Sequence, residues 1–277
     1  MEKGIDISYH NRNVNLDVAK AAGIDFVIIR MGFGDNVASQ DDKQFLTNVN
    51  KARAAGLRWG LYLYSYAANM DQVESEVQHS VRLVQKVGRP PLGIWWDSED
   101  ASTSHCNLRL FFTYYKNNVE ALTGYPVGMY SYKAFYESNY QPFMTEREYP
   151  FWYARYNNKL PADYYKNFCD IWQYSSDEFV PGIGKCDVNR MHRRSITAVL
   201  QVWRGLYGDN TERRRNLELA GYNYSEVQKL VNEYGKAADD VINNNKYGIG
   251  ADRVNRLKAA GYNAYIVQQI VNIKIMG

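Results

Sequence analysis

The last third of the chain repeats itself, and this feature constrains the possible folds more than any other. Residues 207–232 align without gaps with residues 247–272, at an offset of 40, and 12 of the 26 aligned pairs are identical. The identical pairs include Tyr207/Tyr247, Arg213/Arg253 and Gly221/Gly261. A repeat of this length indicates stacked supersecondary units. We therefore predict a repeat region that is distinct from the part of the chain before it.

Each repeat unit is predicted to form three short helices. In the first copy they cover residues 196–204, 211–220 and 225–234. Gly221 stands where a glycine commonly ends a helix, and Ser225 is a suitable N-cap for the third helix. The second copy follows the same plan, so we predict all-α units at residues 196–235 and 236–277. Asn210 replaces the Gly250 of the second copy, and asparagine also tolerates a positive φ.

Upstream, short apolar runs alternate with amphipathic stretches, which is typical of βα units around a mainly parallel sheet. We predict eight strands, at residues 4–7, 26–31, 59–66, 92–97, 127–130, 151–154, 171–174 and near 187–189. Helices are predicted at residues 41–55, 70–87 and 107–122. The later connections are too short for full helices; residues 154–171 leave room for one short segment.

The predicted fold class is therefore α/β: an irregular, TIM-like (β/α) barrel at residues 1–193, followed by an all-α region of two three-helix repeats. No linker rich in Gly, Ser or Pro separates the parts, so direct packing between them is expected.

Composition excludes several classes of function. Basic and acidic residues number 33 and 30, and the bases before Gln173 do not cluster, so we expect no nucleic-acid partner. Three cysteines without CxxC spacing indicate neither a disulfide framework nor a zinc ribbon. No signal peptide and no run of 18 apolar residues is found, so we expect synthesis in the cytoplasm, or a signal already removed, and no membrane partner.

Two carboxylates follow the fourth predicted strand, in the run Trp-Trp-Asp-Ser-Glu. Because side chains alternate along a strand, Asp97 and Glu99 face the same side and Ser98 faces away. At the C-terminal mouth of a barrel, crowding and desolvation would raise the pKa of one carboxyl and leave its partner ionised. This pair is our candidate catalytic site; the alternative is an acidic strand end that caps a helix or faces water.

Two more acids are predicted at the same mouth. Asp6 ends the first strand and Asp187 lies at one end of the last, and barrel closure makes these strands neighbours. Four converging carboxylates require compensation by water, protons or a ligand, which makes the cluster a site candidate. Alternation also places Tyr62 and Tyr64 on one face. The rings that we predict to contact a sugar substrate are Tyr62, Tyr64, Tyr130, Trp172 and Tyr174. For any single ring, core packing is the alternative.

Other catalytic motifs are missing from the sequence. The four histidines have no HExxH or HxH spacing, and no GxSxG, P-loop or GxGxxG motif follows a predicted strand. We therefore expect no metal and no cofactor.

The set of strand motifs resembles glycoside hydrolase family 25, the N-acetylmuramidases, or lysozymes, of phages and bacteria. The resemblance runs in order through about the first 190 residues, in the motifs Gly4-Ile5-Asp6-Ile7-Ser8, Trp96-Asp97-Ser98-Glu99, Gly128-Met129-Tyr130-Ser131 and Asp187-Val188-Asn189 among others. The repeats are similar to the choline-independent cell-wall-binding repeats of phage lysins. The resemblance implies hydrolysis of the β-1,4 bond between N-acetylmuramic acid and N-acetylglucosamine in peptidoglycan.

On this resemblance Glu99 is the acid that protonates the leaving oxygen and Asp97 is its partner. Asp97 either orients the 2-acetamido group or assists an attacking water. Asp6 and Asp187 are expected to hold sugar hydroxyls or to tune the acid. Arg213 and Arg253 are candidates for contacting a stem-peptide carboxylate; alternatively each pairs with a neighbouring acid.

The resemblance also suggests a phage endolysin that reaches the wall after holin-type release, with secretion as the alternative. Two other functions stay open at this point: a wall-binding lectin without catalysis, and a hydrolase of another polymer of acetylated glucosamine such as chitin.

Overall fold

The structure, a computed structural model, describes residues 1–141, 149–157, 165 and 168–276. Its eight strands are β1 Glu2–Ile7, β2 Phe26–Phe33, β3 Arg58–Tyr64, β4 Ile94–Asp97, β5 Val127–Tyr132, β6 Phe151–Ala154, β7 Ile171–Val180 and β8 Gly184–Met191. They form one closed barrel in chain order, in which β8 pairs with β1. The predicted barrel with eight strands is therefore confirmed.

The helices of the barrel lie mainly in its first half. They are α1 Leu16–Ala21, α2 Phe45–Ala54, α3 Met70–Val87, α4 Leu108–Thr123 and the short α5 Lys133–Asn139. Asn69 caps α3 and Asn107 caps α4, each by accepting a backbone N–H of the first turn through its side chain. The short segment predicted between residues 154 and 171 falls largely outside the described residues.

The strands that close this barrel pair differently from those of a regular βα barrel. The neighbours from β1 to β7 pair in parallel, whereas β8 is antiparallel to both β7 and β1. The connection from β7 to β8 is a tight turn, Pro181–Gly182–Ile183, which is too short for the helix that a parallel crossover needs. As a consequence the start of β8, and not its end, lies at the mouth of the barrel.

Two layers of apolar side chains bury the sheet. An inner cluster that includes Phe26, Ile28, Trp95 and Trp152 fills the barrel, and a larger outer cluster packs between the strands and the helices. Gly128 in β5 makes room for the Trp95 ring, since a Cβ there would lie 2.5 Å from it.

The repeat region forms five helices: α6 Ser195–Trp203, α7 Asn210–Leu219, α8 Tyr224–Asn244, α9 Gly250–Ala259 and α10 Ala264–Met276. The prediction of three separate helices per copy is wrong in one respect. The third helix of the first copy and the first helix of the second are one continuous helix, α8, because no proline or cap interrupts the chain there. Gly235 does not end α8 but lets it approach α6, since a Cβ would lie 2.7 Å from Trp203. The cap of α8 is Asn223, not Ser225.

Repeat helices dock on the barrel at the end opposite its mouth. Arg193 donates to the carbonyl oxygens of Leu92 and Ala220, at 2.9 Å each, and its guanidinium lies over the rings of Trp95 and Tyr222. Arg204 of the repeats pairs with Glu120 of α4 at 2.9 Å. These contacts show that the repeats pack directly on the barrel, as the lack of a linker predicts. None of the described helices is long and apolar enough to cross a bilayer.

Candidate functional site

Four carboxylates line one cavity at the mouth of the barrel. Asp6 lies in β1, Asp97 ends β4, Glu99 follows two residues later and Asp187 lies in β8. The cavity has a volume of about 310 Å³. Ser98, between the two acids of β4, faces away and bonds the Tyr140 hydroxyl at 2.6 Å. The structure thus brings together the four acids that alternation and barrel closure predicted.

Asp6 and Asp187 face each other across the seam that closes the barrel, since they are register partners of β1 and β8. Asp187 lies within β8 and not at a strand end, which corrects the sequence-based position; the cause is that β8 already begins at Gly184, where it pairs with Val180 of β7. The Asp6 carboxylate accepts hydrogen bonds from Asn189 Nδ2 at 2.7 Å and from Gln173 Nε2 at 2.9 Å. These two amides fix one wall of the cavity.

Burial raises the pKa of every acid in the cluster, and repulsion between carboxylates adds to this for Asp97, Glu99 and Asp187. Burial is the largest cause in each case. It raises the pKa of Asp6 to about 6, and with repulsion from Asp6 it raises the pKa of Asp187 to about 8. The pKa of Asp97 is raised well above its ordinary value by burial and by the charges of Glu99 and Asp6. Protons are therefore shared within the cluster at neutral pH.

Glu99 has the properties of a general acid. Burial raises its pKa to about 7, while a hydrogen bond with the Tyr130 side chain lowers that pKa in part. A carboxyl with a pKa near the working pH is protonated often enough to donate and acidic enough to do so quickly. Asp97 Oδ1 is buried and has no hydrogen-bond partner in the structure, so this oxygen is available to a bound molecule.

Of the five predicted substrate-contacting rings, three lie in the cavity. Tyr62, Tyr64 and Tyr130 line it, together with Trp152 and Tyr156. The prediction for Trp172 and Tyr174 is wrong: both face outwards from β7, where Trp172 packs on Tyr165 at 4.5 Å between ring centroids. The inward position between them belongs to Gln173, because alternation allows only one face of β7 to reach the mouth.

Arg30 was not predicted and lies in the same cavity. Its Nε donates to Asp42 at 2.8 Å, and its guanidinium lies over the Tyr9 ring. The NH2 nitrogen is buried and has no hydrogen-bond partner among the residues that the structure describes. The charge of Arg30 also opposes the rise of the Asp97 pKa. A single arginine within the apolar run of β2 was the signal that could have identified it.

Glu76 of α3, a buried acid outside the cavity, supports the site from behind the sheet. Its carboxylate accepts from Trp96 Nε1 at 2.8 Å and from the Tyr66 backbone N–H at 2.9 Å. It thereby ties the residue before Asp97 to the segment that follows β3. Burial raises the pKa of Glu76 to about 7.

The two repeats place their arginines in matching positions. Nε of Arg213 donates to the Gly208 carbonyl oxygen, and Nε of Arg253 to that of Gly248. Arg213 also pairs with Asp209 at 2.9 Å, whereas Ile249 stands at the equivalent position in the second repeat. The loops before α7 and α9 share a backbone conformation, since Asn210 has φ 47° and Gly250 has φ 57°. Asn210 therefore adopts the positive φ expected of it.

Comparison with known proteins gives relatives for both parts. The chain is 28% identical to the lysozyme of Streptococcus phage Cp-7 over 190 residues, which are 63% of this chain and 55% of that protein. It therefore spans little more than half the length of that relative. It is 24% identical to the autolytic lysozyme of Clostridium acetobutylicum over 255 residues, 84% of this chain and 72% of that protein.

Solved structures share the barrel. The modular autolysin LytC from Streptococcus pneumoniae is 26% identical, with a TM-score of 0.55, and the match covers 68% of this chain and 46% of that one. The catalytic domain of endolysin ply40 from bacteriophage P40 of Listeria monocytogenes is 22% identical with a TM-score of 0.59, covering 73% and 97%, and shows a likeness of fold.

Family models match the two parts separately. The CW_7 repeat matches residues 198–234 and 236–275. The family described as glycosyl hydrolases family 25 matches residues 5–183, nearly the whole barrel. The chain is therefore a member of glycosyl hydrolase family 25.

Proposed function

We propose that the chain is a peptidoglycan hydrolase, an N-acetylmuramidase that cleaves the β-1,4 bond between N-acetylmuramic acid and N-acetylglucosamine in Gram-positive cell walls. The observation that carries the proposal is the cluster at the barrel mouth, in which Glu99 has a pKa of about 7 beside the unpartnered Oδ1 of Asp97. Family membership and the names of the relatives support it.

In this proposal each group of the cavity has one role. Glu99 protonates the leaving oxygen, because departure of a neutral sugar hydroxyl needs a protonated acid near neutral pH. Asp97 orients the 2-acetamido group as internal nucleophile or assists the attacking water; the anomeric configuration of the first product separates these routes. Asp6 and Asp187 hold sugar hydroxyls and tune the acid. The orphaned guanidinium nitrogen of Arg30 donates to a substrate oxygen.

The repeats are proposed to hold the enzyme on its insoluble substrate. Two weak sites on one chain raise the local concentration of the barrel at the wall. The matches at residues 198–234 and 236–275 support our division into residues 1–193, 196–235 and 236–277. We propose neither a nucleic acid nor a membrane as a partner.

Digestion of purified Gram-positive walls tests the reaction. Reduction of the products with borohydride, followed by mass spectrometry, should identify reduced muramic acid at the new ends. Chitin digested in parallel should yield far fewer ends. Reduced glucosamine ends, equal digestion of chitin, or wall binding without new ends would each contradict the proposal.

The pH dependence tests the acid. Because Glu99 must be protonated, we expect kcat/KM to fall as pH rises through about 7, the folded pKa of this group. The hydrogen bond from Tyr130 lowers that pKa, so Tyr130→Phe should move the fall to higher pH. Tyr153→Phe removes a hydroxyl from an outward-facing ring of β6 and should leave the fall in place. A profile of Tyr130→Phe that coincides with that of the wild type would argue against Glu99 as the acid.

The repeats should contribute unequally to wall binding. Arg213 is partly neutralised by Asp209, whereas Arg253 has no carboxylate at the equivalent position. We expect Arg253→Gln to weaken binding to purified walls, measured by co-sedimentation, by roughly fivefold. Arg213→Gln should weaken it by less, because Asp209 already neutralises part of the Arg213 charge and an exposed pair of this kind contributes little. Glu99→Gln as background prevents digestion during the assay. Equal losses would contradict the unequal contribution, and a loss of thermal stability that accounts for the effect would support a structural role of these arginines.

A further inference from the structure

Strands β7 and β8 continue beyond the barrel wall as a hairpin. β6 pairs with β7 at residues 171–173, and β1 pairs with β8 at residues 187–191. Residues 175–180 and 184–186 pair with each other past these points, and we call residues 175–186 the mouth hairpin. Because β7 ends on the side of the barrel mouth, the hairpin stands beside the cavity of the four carboxylates. Ser176 and Lys185 of the hairpin line that cavity.

Two contacts hold the mouth hairpin in place. Lys3 of β1 pairs with Glu178 at 2.6 Å. At the turn, the Asn15 N–H donates to the Gly182 carbonyl oxygen at 2.7 Å. Gly182 packs so closely on the start of α1 that a Cβ there would collide with the Asn15 carbonyl oxygen. The hairpin is therefore fixed to the barrel, and its side chains have defined positions beside the cavity.

Alternation places Lys185 on the cavity side of the mouth hairpin. Both register irregularities of this ladder add residues to β7, so β8 is regular. Lys185 therefore shares a face with Asp187, whereas Cys186 between them is buried in the outer core. Along the strand Lys185 lies about 7 Å from Asp187. Phe179 is the register partner of Lys185 and faces the same side.

The charge of Lys185 is not neutralised by the protein. Its side chain is exposed and makes no ion pair or hydrogen bond with the residues that the structure describes. Arg30, which also lines the cavity, is by contrast paired with Asp42 at 2.8 Å. Phe179, opposite Lys185, is 70% exposed. A free ammonium beside an exposed ring favours a ligand that carries a carboxylate next to an apolar group.

Muramic acid has such a group and glucosamine does not. Its lactyl ether has a methyl group and ends in a carboxylate, or continues into a stem peptide that carries carboxylates of its own. Beside a cluster of four acids, a carboxylate is repelled unless a cation binds it. Chitin carries no carboxylate. A cation at this position therefore favours a muramic acid polymer over chitin through the difference in affinity.

We infer that Lys185 and Phe179 form a subsite for the acidic side chain of muramic acid. Lys185 Nζ binds a carboxylate of this side chain, and the Phe179 ring covers its apolar part. The inference rests on the proposed reaction and names residues that select its substrate. The carboxylate is that of the lactyl group in a peptide-free glycan or that of the stem peptide, and the experiment separates these two sources.

Soluble glycan oligomers test the charge. Four are compared: peptide-free oligomers with a free lactyl carboxylate, the same oligomers with this group converted to a neutral methylamide, oligomers that keep the stem peptide, and chitin oligomers. We expect Lys185→Gln to lower kcat/KM, measured from new reducing ends, roughly fivefold on a carboxylate-bearing oligomer, the upper range for an exposed ion pair. The loss should arise in KM. The methylamide and chitin oligomers should be unaffected.

Three further variants complete the test. Lys185→Arg keeps the charge and should restore most of the loss. Lys236→Gln, the same charge change on an exposed residue of α8 outside the cavity, should leave every substrate unchanged. Phe179→Ala should lower kcat/KM equally on the free acid and on the methylamide, because a ring contact does not depend on the charge of the ligand. Lys185 and Phe179 are exposed, so these substitutions are not expected to disturb folding.

The oligomers also identify the source of the carboxylate. A loss in Lys185→Gln on the peptide-free acid assigns it to the lactyl group, and a loss confined to the stem-bearing oligomers assigns it to the stem; both support the subsite. Equal losses on charged and neutral oligomers, or no loss on any of them, would overturn it. A wild type that yields no new muramic acid ends from any oligomer would overturn the proposed reaction instead. The subsite is then measured by binding of the same oligomers to Glu99→Gln, with and without Lys185→Gln.

Discussion

Glu99→Gln should lower the rate of wall hydrolysis by roughly 10²–10⁴-fold, the usual contribution of a positioned general acid. Glutamine keeps the size and the hydrogen-bonding capacity of the side chain but has no proton to donate at neutral pH. The raised pKa of Glu99, about 7, is the reason that the wild-type group is still partly protonated there. The measurement is the release of reducing ends from purified walls under initial-rate conditions.

Asp100→Asn is the matched control for this variant. Asp100 is the next residue, and its replacement removes the same charge. It accepts hydrogen bonds from Ser102, which hold its pKa below the ordinary value, so it is ionised at neutral pH and has no proton to give. We expect Asp100→Asn to keep most of the activity. Comparable losses in the two variants would point to a general electrostatic effect of the mouth, and the assignment of Glu99 would fail.

The strands and the four acids could be predicted because their signals are local. Apolar runs mark β1 to β7, and an acid at the end of a parallel strand must lie at the mouth of the barrel. The direction of β8 could not be predicted, since residues 187–189 are compatible with a parallel or an antiparallel strand. The ladder between the end of β7 and residues 184–186 was not predicted either, and it places Asp187 in the interior of β8.

The error on β7 has a different cause. Because aromatic rings suit sugars, the sequence favours Trp172 and Tyr174 for the cavity, whereas the structure places Gln173 there. In this barrel the outer face of the sheet lies under helices and loops and is apolar, whereas the inner face near the mouth is polar. At the mouth, polar side chains therefore face the interior of the barrel and apolar ones face outwards, which is the opposite of the usual pattern. The same inversion explains why Arg30 was missed.

The continuous α8 shows a limit of repeat analysis. A sequence repeat defines the unit that is copied, not the point at which a helix ends. Gly235, at the boundary of the two copies, is a helix breaker by propensity. Packing of Trp203 against that glycine stabilises the helix through the boundary, so tertiary contact overrides propensity.

Asp170→Ala should destabilise the fold by about 3–5 kcal/mol, the cost typical of breaking a buried ion pair from one side. Asp170 is fully buried between β6 and the repeats. Its carboxylate accepts from the Phe151 N–H and the Arg194 N–H at 3.0 Å each, from the Arg194 guanidinium at 2.9 Å, and from the Thr197 hydroxyl at 3.0 Å. Alanine removes the acceptor of the two backbone N–H groups and leaves a largely buried guanidinium without its carboxylate, whereas the Thr197 hydroxyl keeps the Arg194 carbonyl oxygen as acceptor. The measurement is the free energy of unfolding in urea.

Asp177→Ala, an exposed aspartate of β7, is the control and should change the free energy by no more than about 0.5 kcal/mol. Because Asp170 joins the end of the barrel to the first turn of α6, its loss should also uncouple the two parts. The single urea transition expected of the wild type should then separate into two, with the repeats unfolding first. One transition at the wild-type midpoint would show that the Arg193 and Arg204 contacts alone hold the repeats to the barrel.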